Sequence, residues 1–304
     1  MDNASFNIRP DIEKALVAGS PVLALESTIL AHGMPYPENL AFAKQAEQIA
    51  LNLGVLPATI AIINGDVKIG LNQEELKYIC NNEHVRKTSL REISGYVASR
   101  ESAATTVSAT IHLARLAGIR VFTTGGIGGV HRNCGSNMDI SQDLTALSNV
   151  PIIVVSAGAK AILDLPKTLE ALETLGVAVI GYKTKEFPAF YSRSSGLKLN
   201  NYVNEVNEII KQYNTSIALK INSASLVVNP IEEKDEIHEE EINSYLHYAL
   251  QEADSNQITG KRLTPFLLKT IAEKSKGKAL KANVSLALNN IKLGSEIALQ
   301  LAKI

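Results

Sequence analysis

Short apolar runs alternate with helix-period segments along most of the chain, and that alternation constrains the fold more than any other feature. PVLALEST (residues 21–28), TIAIING (59–65), IRVFTT (119–124), PIIVVSAGAK (151–160), VAVIG (177–181) and SLVVNP (225–230) are aliphatic and show little of the polar alternation of a half-exposed strand. Such runs fit strands covered on both faces, the condition of a parallel sheet between helical layers. Helical spacing recurs between them, in a leading helix within residues 1–20 and at 39–52, 102–117, 161–175 and 200–213. The last third is mostly helical and ends in a long helix over 280–303. The expected fold is α/β, a three-layer α/β/α arrangement with a mostly parallel central sheet and helices on both faces, as one domain over 1–304. DVKIG (66–70) pairs with the preceding run around a Gly-Asp turn, IALKI (217–221) reads as strand-like, and the acidic stretch 231–241 reads as the solvated start of a helix.

Charge and cysteine content exclude several classes of function. Lys and Arg number 30 against 31 Asp and Glu, a net charge of -1, with no basic stripe for nucleic acid or anionic lipid. An anionic ligand therefore has to be met by local groups. Two cysteines, Cys80 and Cys134, make no disulfide framework, which points to a reducing, cytoplasmic setting. No apolar run is long enough to span a bilayer.

Chemistry-bearing residues cluster where the apolar runs end. Glu26 interrupts the end of PVLALEST, and a carboxylate there is either a surface turn or an active-site acid. VFTTGGIGGVHRNCGSNMDISQD (121–143) follows a strand with Gly125, Gly126, Gly128 and Gly129, expected to supply positive φ angles and approachable amides. It lacks GK[ST] and so is not a P-loop. Its spacing puts His131 where a dinucleotide fingerprint needs its last glycine. Asp139 and Asp143, with Ser141 between them, fit a helix cap or a hard divalent cation held by few protein ligands. Arg86, Lys87 and Arg91 form either a solvated face or a cationic wall for phosphate, and Thr105, Thr106 and Val107 fall in the first turns of a helix, where free amides favour an anion. Lys160 follows IIVVSAGA at a strand mouth. It is either a lysine snorkelling from the sheet edge or a desolvated amine able to attack a carbonyl-type carbon.

LESTILAHGMPYP, VRKTSLR, ATTVSAT, TTGGIGGVHR, MDISQDL, VVSAGAKAILDLPKTLE, GYKTKEFPAFYSRSSG, TPFLL and ANVSLALNN, in that order, resemble the pseudouridine-5'-phosphate glycosidases, the family that also includes the indigoidine-synthase-A-like proteins. The resemblance covers nearly the whole chain. It implies a manganese-dependent enzyme, usually a homotrimer, that reversibly breaks pseudouridine 5'-phosphate into uracil and ribose 5-phosphate, with no nucleic-acid or membrane partner. By position it makes Lys160 the nucleophile, Glu26 the proton donor and Asp139 the ligand of Mn2+ or another hard divalent cation. Lys87, Thr106, Val107, Ser141, Gln142 and Asp143 fall on substrate-binding positions, and Thr124, His131 and Asn289 on further pocket positions. Two other readings fit the same residues: an aldolase-like Schiff-base enzyme on a sugar phosphate, and a non-catalytic sugar-phosphate-binding protein.

Overall fold

A computed structural model describes residues 6–132, 134–258 and 260–303. Its strands are β1 (Phe6–Ile8), β2 (Val22–Leu25), β3 (Leu56–Ile63), β4 (Asp66–Ile69), β5 (Arg86–Thr88), β6 (Ala103–Thr105), β7 (Val121–Thr123), β8 (Ile153–Ser156), β9 (Ala178–Tyr182), β10 (Tyr202–Val203) and β11 (Ser225–Val228). They join one sheet in the order β1-β4-β3-β2-β7-β8-β11-β9-β10, with β6 added to β3 and β5 to β6. Pairing is parallel except at β3–β4 and β3–β6. Every residue of β2, β8 and β11 is buried, as the unbroken apolar runs require of strands covered on both faces.

Helices complete the two outer layers. Lys278–Leu301 packs on β2, β7 and β8 beside Glu38–Asn52 and Val206–Ala218, while Val107–Leu116 packs on β2, β3 and β7 beside Gln142–Asn149. The expected α/β/α sandwich is therefore the fold. The chain leaves β2 towards β3 on one side and returns to β7 on the other. The carboxyl ends of β2, β7 and β8 consequently flank a crevice, the place where open α/β sheets bind ligands.

Several local expectations change. Residues 102–117 divide into β6 and the helix Val107–Leu116, because Thr105 gives its backbone N–H to Ser27 Oγ (2.8 Å) and its hydroxyl to the Ile60 carbonyl (2.6 Å). Residues 217–221 are no strand: Ile217 and Ala218 end the helix Val206–Ala218, and Lys220 turns the chain with φ +59. A helix end carrying exposed Ile217, Leu219 and Ile221 mimics a short apolar strand. The hairpin turn is Asn64–Gly65, both with positive φ, so Asp66 already belongs to β4. Residues 157–164 form a turn before the helix Leu165–Thr174, which Asp164 caps by accepting from the Lys167 amide (3.1 Å). The acidic stretch contains a 3-10 turn, and its helix begins at Glu239.

Candidate active site

Three strand ends carry the chemistry. Glu26 follows β2, Thr124 follows β7, and Lys160 lies beyond β8; all three line a cavity of about 930 Å³. Gly158 makes the turn that aims Lys160 back at the crevice. Its φ is +81, and a Cβ there would come within 2.3 Å of the Pro188 carbonyl oxygen. The Lys160 amide donates to the Ile127 carbonyl and the Ile127 amide to the Gly158 carbonyl, both at 3.1 Å, stitching the lysine turn to the glycine loop.

Glu26 is only 8% exposed. Burial raises its carboxyl pKa; the positive charges of Lys160 and Lys87 and the bond donated by Thr124 Oγ1 oppose that shift, and Asp143 reinforces it. A carboxylic acid biased towards its protonated form thus faces the cavity that holds a primary amine. That pairing suits proton donation coupled to nucleophilic attack.

Asp143 holds part of the same cavity wall in place. Its Oδ1 accepts from the Ser108 amide (2.9 Å) and its Oδ2 from the Gly128 amide (2.8 Å), tying the glycine loop to the start of the helix Val107–Leu116. None of Gly125, Gly126, Gly128 or Gly129 has positive φ, contrary to the expectation. Glycine is needed there for close approach: a Cβ on Gly128 would meet Ser141 Oγ at 2.3 Å, and one on Gly126 the Phe190 ring at 2.6 Å.

Further polar groups line the cavity. Lys87 reaches it from β5, and Thr106 from the N-cap of the helix Val107–Leu116. Val107 is the first residue of that helix and its side chain is buried, so its backbone amide is what it can offer an anion. Ser141 caps the helix Gln142–Asn149 by accepting from the Asp143 amide (3.2 Å), and the Gln142 side-chain Oε1 accepts from the Arg91 amide (3.1 Å). His131 Nδ1 lies 4.0 Å from Asp139 Oδ2. Burial holds the His131 pKa down despite Asp139, helped by the charges of Lys87 and Lys160.

The donor set around Asp139 limits what metal it can hold. Among the described residues no group of three or more His, Cys, Asp or Glu is arranged as a cage. The Asp139 side chain lines the cavity at 30% exposure, which suits a hard cation that keeps most of its waters and takes one carboxylate.

Most of the expected site residues come together: Glu26, Lys87, Thr106, Thr124, His131, Asp139, Ser141, Gln142, Asp143 and Lys160 all line the cavity. Val107 and Asn289 are outside that lining, the Asn289 amide being given to the Pro230 carbonyl (3.2 Å). Asn283 lines the cavity instead, with its buried Oδ1 lacking a hydrogen-bond partner. On the same face, seven residues on, the Asn290 amide donates to the Thr124 carbonyl (2.8 Å) and anchors the helix to the strand end. Phe190, with φ +65, and His32 also line the cavity without having been singled out. Helical spacing of the buried asparagines in ANVSLALNN was the available signal for Asn283; no local signal marks Phe190.

Known proteins resemble this chain in sequence and in fold. Residues 11–300 match the model of the family described as indigoidine synthase A like protein. A pseudouridine-5'-phosphate glycosidase of Caldanaerobacter subterraneus subsp. tengcongensis is 49% identical over 99% of this chain and 98% of its own. The crystal structure of an indigoidine synthase A-like protein from Thermotoga maritima superposes with a TM-score of 0.91 at 38% identity, covering 99% of this chain and 98% of that one. The prealnumycin C-glycosynthase AlnA, solved in complex with ribulose 5-phosphate, also gives 0.91, at 33% identity and the same coverage. The chain belongs to the indigoidine synthase A like protein family.

Proposed function

We propose that this chain reversibly cleaves pseudouridine 5'-phosphate to uracil and ribose 5-phosphate through an imine on Lys160. The observation that carries the reading is the meeting of buried Glu26 and Lys160 in one cavity, in a chain that is 49% identical to a pseudouridine-5'-phosphate glycosidase. The sugar phosphate bound in AlnA supports a pentose 5-phosphate as the ligand class.

A carbon–carbon glycosidic bond offers no leaving heteroatom to protonate, so the logic of paired carboxylates does not serve it. Nitrogen supplies the electron pair instead. Lys160 Nζ attacks C1' as the C1'–O4' bond breaks, and Glu26 gives its proton to O4'. The ammonium so formed returns a proton to Glu26. The nitrogen lone pair then expels uracil from C1' while Glu26 protonates C5, and water hydrolyses the remaining iminium to ribose 5-phosphate and the free amine of Lys160, releasing to solvent one proton that balances the one Glu26 must regain. Lys87, Thr106 and Ser141, with the amides at the start of the helix Val107–Leu116, hold the phosphate. Asp139 would hold Mn2+ or a similar divalent ion through bound waters, supplying charge neutralisation near that phosphate. Family membership also supports a homotrimer in the cytoplasm, which sedimentation of the purified chain and fractionation of cells test.

Incubation with pseudouridine 5'-phosphate should release uracil and ribose 5-phosphate in equal amounts, and uracil with ribose 5-phosphate should run the reaction backwards. Glu26→Gln should abolish both. An adduct with ribose 5-phosphate but no reaction with uracil would favour the aldolase-like reading.

A further inference from the structure

Glu26 also borders a second chamber. Behind it, on the side of the helices Glu38–Asn52 and Lys278–Leu301, lies a small space of about 30 Å³ whose polar lining is Glu26, Thr59, Thr123 and Thr124. Thr123 and Thr59 are the cross-strand partners of Leu25 on either side, so the two hydroxyl residues flank the end of β2 just before Glu26. Thr123 Oγ1 is buried and has no hydrogen-bond partner. Thr59 Oγ1 has one, Glu47 Oε1 at 3.2 Å. A space larger than about 10–15 Å³ with two to four polar partners suffices for one ordered water. This chamber meets both conditions, while the rest of its lining is apolar.

Glu47 is a buried carboxyl that the reaction steps leave unused. It is 7% exposed, on the inner face of the helix Glu38–Asn52. Burial raises its pKa against the Thr59 bond and the charge of Arg9, just as burial raises that of Glu26 among Lys160, Lys87 and Asp143. Two acids biased towards their protonated forms thus sit at the two ends of a short path through Thr59 and the chamber.

We propose that one water in this chamber links Glu26 to Thr59 and through it to Glu47, forming a rear relay that replaces the proton Glu26 gives up. The inference rests on Glu26 being the proton donor. After uracil C5 is protonated, Glu26 is a carboxylate whose front is covered by uracil. The water then gives a proton to Glu26 and takes one from the Thr59 hydroxyl; Thr59 takes one from Glu47, and Glu47 regains its own from solvent beside Arg9. Each oxygen in the path gains one proton and loses one.

Deuterium washout tests the relay. With 5-deuterouracil and ribose 5-phosphate in ordinary water, C5 deprotonation places the deuteron on Glu26, which loses it to solvent, returns it to uracil, or passes it to the Lys160 nitrogen on the way to product. The readout is deuterium lost from the uracil pool per molecule of pseudouridine 5'-phosphate formed. In the wild type this ratio should be high. Thr59→Val, which keeps the shape and removes the hydroxyl, and Glu47→Gln should each lower it by about tenfold, below the roughly 10²–10⁴ of a positioned proton-transfer group because solvent reaches Glu26 from the front once uracil leaves. Thr59→Ser should restore it. A wild-type ratio in both Thr59→Val and Glu47→Gln, with the lysine adduct intact, would overturn the relay. Washout that persists in Glu26→Gln would instead overturn the role of Glu26, a separately readable outcome.

Discussion

Removing the Asp143 carboxylate should destabilise the protein before it affects substrate binding. Asp143 is 4% exposed, and its two oxygens satisfy the amides of Ser108 and Gly128 at 2.9 and 2.8 Å. Asp143→Ala leaves both buried donors without acceptors, at about 1–3 kcal/mol each or about 2–6 kcal/mol together. That is a large fraction of a total stability of about 5–15 kcal/mol. Asp143→Asn keeps one acceptor oxygen and should cost about half as much. Urea titration with the slope held common to all variants reads these differences. Catalysis should fall along with stability, since the glycine loop also carries Ile127, the partner of the Lys160 turn. The reasoning fails if Asp143→Ala unfolds within about 0.5 kcal/mol of the wild type, the range of an ordinary surface change, while KM rises sharply. Its carboxylate would then act on substrate and not on the loop.

Glu26 sets a pH dependence whose sign follows from its environment. Burial raises its pKa, so the donor is protonated below that value and activity falls as pH rises through it; Thr124→Val removes a bond that lowers the pKa and should move this alkaline limb upwards in a pH–rate profile. A limb that stays in place or moves down contradicts the assignment. Gly158→Ala forces a Cβ to within 2.3 Å of the Pro188 oxygen at φ +81, costing about 1–3 kcal/mol from overpacking and displacing Lys160, so kcat should fall more than KM changes. After chelation, added Mn2+ should restore activity to the wild type and leave Asp139→Ala unresponsive; an undiminished response in that variant would remove Asp139 from the metal site.

What was legible in the sequence lay mostly at strand ends. A carboxylate closing VLAL and a lysine beyond IIVVSAGA stand out because nothing else in those runs is charged, and the structure places both in one cavity. The layered fold was equally legible, since uninterrupted aliphatic runs have few places to go except a sheet covered on both faces. Less accessible were features decided by distant partners. The strand at Ala103–Thr105 depends on Ser27, 78 residues earlier, so local helical spacing misassigned it. The glycines looked like positions for unusual backbone angles, but what keeps Gly126, Gly128 and Gly129 small is the side chains of Phe190, Ser141 and Thr168 arriving from elsewhere in the chain. Asn289 and Asn283 lie on different faces of one helix. Composition cannot tell them apart, and only the packing of that helix on β7 turns Asn283 towards the cavity.

Borohydride trapping tests the central claim, a covalent bond between Lys160 and the sugar, most directly. Reduction in the presence of ribose 5-phosphate should add one pentose phosphate per chain, mapped by peptide mass spectrometry to Lys160, and Lys160→Ala should show none. A fully folded protein that gives no adduct, or one that carries it on another lysine, would contradict the account.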